Sequence, residues 1–302
     1  MAPASTGSGE ERFVVVIGDA LIDEIHLDGA ITEFVGGAAL NVAVGLAALG
    51  VRAKLIAMIG DDDDGHTIRT FLGEKGVELI ATIGPNGSSR GISHRVAGEP
   101  RYEFNSAARA RRIEFDRRER DAIAAAALVV VSCFPFDDSA QSLELVAAIE
   151  DQENRLIIDP NPREGMMGSI ETFRETFDRV ARRSLLVKVG DDDSALLYGS
   201  TLGELESHLL AVGCAAVLGT AGKDGAEIVT SNGVTSHEPI VALPGSIVDT
   251  MGAGDAVLAS VTESILVDGI PKDEQNWHGV LERAMRVAAA TCRHEGALLR
   301  LP

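Results

Sequence analysis

A run of small residues followed by a carboxylate stands at a predicted helix start. Residues 249–255 read Asp-Thr-Met-Gly-Ala-Gly-Asp, and an apolar stretch typical of a helix follows them. Small residues let the backbone approach a ligand, and the unpaired N–H groups of a first helical turn can stabilise charge on a phosphoryl group. We therefore interpret the backbone of Gly252, Ala253 and Gly254 as an anion hole, and Asp255 as the base that accepts a hydroxyl proton. The alternative is that Asp255 only complements the helix dipole.

Two common nucleotide-binding patterns do not fit the sequence. A dinucleotide fingerprint that starts at Gly252 would need glycine or alanine where Val257 stands. A P-loop that ends at Gly222 and Lys223 would need serine or threonine where Asp224 stands. An NAD-dependent enzyme and a P-loop protein are therefore disfavoured.

Charge and composition limit the expected partners. The chain has 302 residues, of which 27 are Lys or Arg and 46 are Asp or Glu, and its net charge is −19. This charge would repel nucleic acid and anionic membranes, so we expect neither as a partner. Three widely spaced cysteines predict reduced thiols rather than disulfides or a zinc site. We find no secretory signal and no apolar run that could span a bilayer, and we expect a cytoplasmic protein.

Apolar runs alternate with helical stretches along the chain. We predict strands at 13–17, 55–59, 128–131, 156–158, 185–189 and 215–218, and helices such as 40–49 and 141–150. The alternation predicts an α/β fold with a doubly wound, mostly parallel sheet and helices on both faces. No domain boundary is evident, so we treat 1–302 as a single domain. The arginine-rich stretch 109–120 also contains acidic residues, and we interpret it as a solvated face.

Two long glycine motifs resemble the signatures of the ribokinase-like (PfkB) carbohydrate kinase family. The first covers residues 36–43, with Gly50 and Gly60 at the expected distances, and the second is the segment 249–255. Three segments between them resemble further family landmarks: 60–65, 159–163 and 220–225. The resemblance covers nearly the whole chain. It implies a ribokinase-like fold in which two inserts form a small β-lid over a sugar: 24–35 and 88–104.

The resemblance also implies an ATP-dependent sugar kinase and suggests a role for each matching position. The catalytic positions are Asp255, Gly252, Ala253 and Gly254. The sugar-binding positions are Asp23, Gly36, Gly37 and Asn41. The ATP-binding positions are Lys188, Thr220, Gly222, Lys223 and Gly225. Asp193 is the candidate ligand of Mg²⁺, although relatives usually have Glu there and Asn where Gly190 stands.

Several of these residues have simpler interpretations. Asp23 can be a turn residue, Asn41 can be a satisfied polar group of a helix, and Lys188, Asp193 and Lys223 can be solvated. Asp249 either orders its loop or helps to bind a monovalent cation such as K⁺, as in some relatives. Some relatives also form homodimers through the lid.

The identity of the acceptor is less constrained than the reaction. Residues 18–23 resemble fructokinases, so we expect fructose, with ribose and 2-keto-3-deoxygluconate as alternatives. A keto acid would call for a cationic clamp on its carboxylate, which Arg90, Arg95 or Arg101 can provide. Nucleosides are disfavoured because only 4% of the residues are aromatic. A non-catalytic regulator that binds sugar or nucleotide is the alternative of another class, but it would not need Asp255.

Overall fold

A computed structural model of the chain describes residues 12–27, 30–96, 99–150 and 155–302. The strands, in chain order, are β1 (Phe13–Gly18), β2 (Leu21–Leu27), β3 (Ala30–Gly36), β4 (Arg52–Ile59), β5 (Glu78–Ile83), β6 (Ser89–Val96), β7 (Glu99–Phe104), β8 (Leu128–Ser132), β9 (Leu156–Asp159), β10 (Leu186–Gly190), β11 (Ala216–Thr220), β12 (Ala226–Thr230) and β13 (Thr235–Glu238). The helices are α1 (Ala38–Ala48), α2 (Asp63–Glu74), α3 (Ser106–Arg109), α4 (Arg117–Ala125), α5 (Ser139–Ala148), α6 (Ile170–Ala181), α7 (Asp191–Asp193), α8 (Leu202–Val212), α9 (Ala253–Asp268) and α10 (Glu274–Thr291).

The main sheet has nine strands in the order β13-β12-β11-β10-β9-β8-β1-β4-β5. Its strands from β5 to β11 are parallel, and β12 and β13 extend it as antiparallel neighbours. Alternate residues of β1 belong to different cores: Val14 and Val16 pack on one face of the sheet, and Val15 and Ile17 on the other. Burial on both faces explains why this strand is an unbroken apolar run. The predicted doubly wound sheet is confirmed.

The lid is a second sheet of four strands in the order β3-β2-β6-β7. Strands β2 and β3 cover the predicted insert 24–35, and β6 and β7 cover most of the insert 88–104. Strand β2 already begins at Leu21, because only two residues separate it from the end of β1. The sugar-site candidates of this region therefore lie on strands of the lid or at its base.

The stretch 109–120 is not simply a solvated face, and that prediction is wrong for part of it. Ile113 and Phe115 are buried in the core that also contains Val15 and Ile17. Arg111 donates to the carbonyl of Cys133 at 3.4 Å. The prediction holds for Arg117, which is exposed. The difference arises because residues 110–116 run as a loop against the sheet before α4 begins.

In the part of the chain that the structure describes, no helix is long and apolar enough to cross a membrane.

Candidate active site

The start of α9 requires a glycine. Gly252 caps the helix with a φ of 74°, a conformation that costs little only for glycine. A Cβ at this position would lie 2.0 Å from the carbonyl oxygen of Ala297. The tight turn places Asp255 in the first turn of α9, where its side chain is buried.

The first-turn amides of α9 are the candidates for the predicted anion hole. The amide of Ala253 donates to the carbonyl of Thr250 at 3.3 Å, which leaves the amides of Gly254 and Asp255 as candidates. A Cβ at Gly254 would lie 3.1 Å from Nζ of Lys188. A buried ammonium therefore lies directly beside the helix N-terminus, where it adds to the positive potential of the amides.

Asn41 joins α1 to the proposed base. Gly37, with a φ of 112°, turns the chain from the lid strand β3 into α1. Asn41 in the first turn then donates from Nδ2 to Oδ2 of Asp255 at 2.9 Å. Its Oδ1 has no hydrogen-bond partner within the described residues. The amide therefore orients Asp255 and keeps an acceptor atom for a ligand hydroxyl.

Asp23 lies on β2 between two glycines. A Cβ at Gly36 would lie 2.2 Å from its Oδ2, and a Cβ at Gly91 would lie 3.2 Å from its Oδ1. These positions leave space for the carboxylate only because neither residue has a side chain. Burial, the charge of Asp19 and the charge of Asp255 raise the pKa of Asp23 to about 7, against the opposing effect of Arg163. Asp23 and Asp255 are therefore close enough to interact electrostatically, as a shared sugar site requires.

Lys188 on β10 and Asp159 at the end of β9 form an ion pair. Nζ of Lys188 lies 3.2 Å from Oδ2 of Asp159, and both side chains are buried. Burial alone would lower the pKa of Lys188, but Asp159, Asp193 and Asp255 outweigh it and raise the pKa. Lys188 therefore stays charged, and the solvated interpretation of this residue is wrong.

Asp193 and Thr220 lie together at the ends of β10 and β11. The amide of Gly190 donates to Oδ2 of Asp193 at 2.7 Å. A Cβ at Gly190 would lie 3.2 Å from Oγ1 of Thr220. Asp193 is buried, and burial raises its pKa to about 6 although Lys188 opposes the shift. The solvated interpretation is wrong for Asp193 as well.

The remaining ATP-side candidates lie in the turn after β11. Gly222 and Gly225 both have positive φ, and a Cβ at Gly225 would lie 2.2 Å from the carbonyl oxygen of Glu238. Lys223 lies between them and is exposed, without an ion pair within the described ranges. The glycines thus shape this turn, while Lys223 extends into solvent, as its simpler interpretation proposed.

Asp249 orders the loop before α9. Its Oδ1 accepts from the amide of Met251 at 3.0 Å, and its Oδ2 accepts from the amide of Gly296 at 3.2 Å. Both oxygens are therefore engaged with backbone, which is the loop role predicted as one of the two alternatives.

Burial and neighbouring charges act in opposite directions on Asp255. Burial raises its pKa, whereas the hydrogen bond from Asn41 and the charges of Lys188 and Arg163 lower it. The raised pKa gives Asp255 a greater proton affinity than an exposed aspartate has. Asp255 can therefore accept a proton from an attacking hydroxyl.

Two further residues of the candidate site, Asp19 and Arg111, were not assigned a role from the sequence. Asp19, directly after β1, is buried and accepts from the amide of Ala39 at 2.9 Å. Burial raises the pKa of Asp19, and the positive charge of Arg111 partly opposes this shift. The position of Asp19 after a buried strand was a usable signal. Arg111 had none, because it lies within an ordinary run of mixed charges.

Comparison with known proteins places this geometry in a family. Residues 11–302 match the pfkB family carbohydrate kinase pattern. A fructokinase of Escherichia coli is 26% identical over 305 residues, which are 96% of this chain and 96% of the relative. The crystal structure of aminoimidazole riboside kinase from Salmonella enterica, complexed with aminoimidazole riboside and an ATP analog, superposes with a TM-score of 0.77 at 23% identity and 95% coverage of both chains. A fructokinase variant from Vibrio cholerae O395, with fructose, ADP and potassium ion bound, gives a TM-score of 0.78 at 20% identity, covering 95% of this chain and 94% of the other.

The family match spans nearly the whole chain, and it includes both glycine signatures and the lid strands. The predicted ribokinase-like fold is confirmed by the structural neighbours. The chain belongs to the pfkB family of carbohydrate kinases.

Proposed function

We propose that this carbohydrate kinase transfers the γ-phosphoryl group of ATP to a primary hydroxyl of fructose. The observation that carries the proposal is the constellation around Asp255. The carboxylate is fixed by Asn41 at 2.9 Å, stands in the first turn of α9, and has Lys188 beside the same turn. A base, an anion hole and a fixed cation are the parts that phosphoryl transfer needs.

The reaction would proceed as an in-line displacement. Asp255 accepts the proton of the acceptor hydroxyl while the hydroxyl oxygen forms a bond to the γ-phosphorus. The bond between that phosphorus and the β–γ bridging oxygen breaks, and ADP leaves with its electron pair. The amides of Gly254 and Asp255, together with the Lys188 ammonium, stabilise the negative charge on the transferred group.

Sugar hydroxyls would bind between the lid and α1. Asp23 offers a carboxylate between the lid strands, and Asn41 offers the unpaired Oδ1 near Asp255. Carboxylate and amide groups match the vicinal hydroxyls of a sugar better than apolar walls do. We therefore assign sugar binding to Asp23 and Asn41, with Gly36 and Gly37 giving the ligand access to the backbone.

The nucleotide would lie at the ends of β10 and β11. We assign Thr220 and the turn glycines Gly222 and Gly225 to its phosphates, and Lys223 to an outer electrostatic contact. Asp193 fits a Mg²⁺ ion that accompanies ATP, because Mg²⁺ needs only one or two carboxylates beside phosphate oxygens and water.

Fructose is favoured by the 26% identity to the Escherichia coli fructokinase and by the residues after β1. Against the keto acid, Arg90 already pairs with Asp64, Glu24 and Glu33, so it is not a free carboxylate clamp. The side chains of Arg95 and Arg101 lie outside the described residues. Ribose remains the second candidate.

The test is ADP release with fructose, ribose, 2-keto-3-deoxygluconate and aminoimidazole riboside at equal concentration, with ATP and Mg²⁺. We expect fructose to give the highest kcat/KM. A higher value for another acceptor would replace fructose but keep the kinase assignment, and binding of sugar without any turnover would favour the regulator. Assays with and without K⁺ test the cation requirement. A cytoplasmic location and a lid-mediated homodimer stay predictions.

A further inference from the structure

One arginine connects three strands of the lid to the body of the protein. Nε and Nη2 of Arg90, on β6, donate to the two carboxylate oxygens of Asp64, at 2.5 and 2.7 Å. Its Nη1 donates to Glu24 on β2 at 2.8 Å and to Glu33 on β3 at 2.7 Å. Asp64 belongs to α2, which is part of the main body. A single guanidinium therefore joins three lid strands to one body helix.

The Arg90 cluster, which consists of Arg90, Asp64, Glu24 and Glu33, lies next to the strand position of Asp23 but on the opposite face of the lid sheet. Glu24 follows Asp23 on β2, and strand pairing places Ile22 opposite Arg90 and Asp23 opposite the next residue of β6. A shift of Arg90 relative to Asp64 would therefore reach Asp23 through the backbone of these paired strands.

Asp23 and Asp255 lie on opposite sides of this connection. Asp23 belongs to the lid, whereas Asp255 and Asn41 belong to the body. A second contact stands at the base of β6, where Asp62 accepts from the amide of Ser88 at 2.8 Å. The contact of Arg90 with Asp64 lies two residues further along the chain, so the two contacts together hold this end of β6 against α2.

The bonds of the cluster have the geometry that makes such contacts effective. The Arg90 side chain is only 27% exposed, and those of Asp64 and Glu24 are 25% and 17% exposed. Paired, partly buried guanidinium–carboxylate bonds are directional as well as attractive, unlike most exposed ion pairs. The hydrogen bonds that Arg90 donates to Asp64 and Glu33 raise the pKa of Arg90, so it is always charged.

We propose that Arg90 is a positioning residue for the acceptor: it fixes the lid so that Asp23 holds the sugar at the correct distance from Asp255. The proposal rests on the proposed role of Asp23 in sugar binding. Arg90 acts through Asp23 and contacts neither substrate. Loss of the connection would misplace the sugar hydroxyl and would let water reach the phosphoryl group, so it should affect the sugar far more than the nucleotide.

The test uses steady-state kinetics of Arg90→Met, Arg90→Lys and Asp64→Asn with the acceptor that the wild-type enzyme prefers in the ADP-release panel. We expect Arg90→Met to raise the sugar KM by roughly 10- to 100-fold and to leave the ATP KM within about twofold. ATP hydrolysis per sugar phosphorylated should rise. Arg90→Lys, which keeps the charge without the bidentate geometry, should give an intermediate sugar KM.

Asp64→Asn should reproduce the loss, and the double variant Arg90→Met/Asp64→Asn should lose little more than either single one. Arg112→Met is the matched control, because it breaks the Arg112–Glu144 ion pair outside the lid and should leave both KM values unchanged. Equal rises of the sugar and ATP KM in both Arg90 variants, or an unchanged sugar KM in Arg90→Met, would overturn the proposal. Failure of the wild-type enzyme to phosphorylate any sugar would instead refute the proposed function, before any variant is compared.

Discussion

Replacing Asp255 by Asn should separate activity from stability. The variant keeps the size of the side chain and an oxygen that can accept from Asn41, but it cannot take a proton. Loss of a positioned general base lowers turnover by about 10²–10⁴-fold, which corresponds to about 3–5 kcal/mol in the activation free energy. Sugar affinity should change only a few-fold, because the carboxylate acts mainly in the transition state.

Stability should change in the opposite direction. Burial raises the pKa of Asp255 above its value in the unfolded chain, so folding at neutral pH carries a free-energy penalty from this group. For a raised aspartate pKa, this penalty is absent below the unfolded pKa and is fully present above the folded one. The Asp255→Asn substitution removes the penalty, so the free energy of unfolding at pH 7 should increase. Each kcal/mol would raise Tm by about 2–4 °C in a protein of this size.

The assay pairs coupled ADP release with thermal unfolding at pH 7 for Asp255→Asn and a control. Asp268→Asn is the matched control, because Asp268 ends the same helix, its side chain is 64% exposed, and it faces Arg283 only at 3.8 Å. We expect the control to retain both kcat and Tm. The reasoning fails if Asp255→Asn keeps near-wild-type turnover, or if it loses activity and Tm together, since the second result would describe a merely structural residue.

Three further predictions concern other parts of the site. Because the pKa of Asp23 is about 7, sugar affinity measured by calorimetry without ATP should weaken as pH falls below 7, by about tenfold per unit, and Asp23→Asn should abolish this dependence. A sugar affinity of the wild-type enzyme that does not change with pH would contradict this prediction. Lys188→Met should lower kcat and reduce the free energy of unfolding by about 3–5 kcal/mol, because it leaves Asp159 buried without its cation. A free energy of unfolding in urea equal to that of the wild type would refute the pairing. Gly252→Ala should reduce the free energy of unfolding in urea more than Gly269→Ala at the other end of α9 does. Both glycines have positive φ, but only a Cβ at Gly252 would collide with the backbone of another segment. Equal losses of unfolding free energy in the two variants would refute that contact.

The parts of the site that the sequence predicted share one property. They are local patterns that can be recognised without knowledge of their distant contacts. The positive φ of Gly252 favours glycine, and Asp255 follows it in the first helical turn. The contacts of these two residues with Ala297 and Asn41 were not predicted. Six of the nine strands of the main sheet were equally visible, because burial on both faces leaves them as apolar runs. The other three, β5, β12 and β13, are partly exposed and were not predicted.

The parts that the sequence did not predict depend on contacts between distant segments. Arg90 was a candidate carboxylate clamp, but the register of β2, β3 and β6 brings Glu24 and Glu33 to it, and α2 brings Asp64. Arg111 was assigned to a solvated face, but the loop that carries it turns back to the sheet. Strand register and loop paths are set by the whole fold, so side-chain types alone could not assign these two arginines.

The electrostatics of the cleft also explain how so acidic a protein can receive ATP. Five carboxylates share the site, those of Asp19, Asp23, Asp159, Asp193 and Asp255, and three cations face them, Lys188, Arg111 and Arg163. The carboxylates outnumber the cations, so in their ionised forms they would repel the nucleotide phosphates. A divalent cation bound to ATP would remove most of that repulsion before the nucleotide enters, and Asp193 would then attract the complex instead of repelling it. We therefore expect Mg²⁺ to be needed for nucleotide binding as well as for transfer. Chelation of Mg²⁺ should then weaken binding of ATP itself, whereas sugar binding without nucleotide should be unaffected.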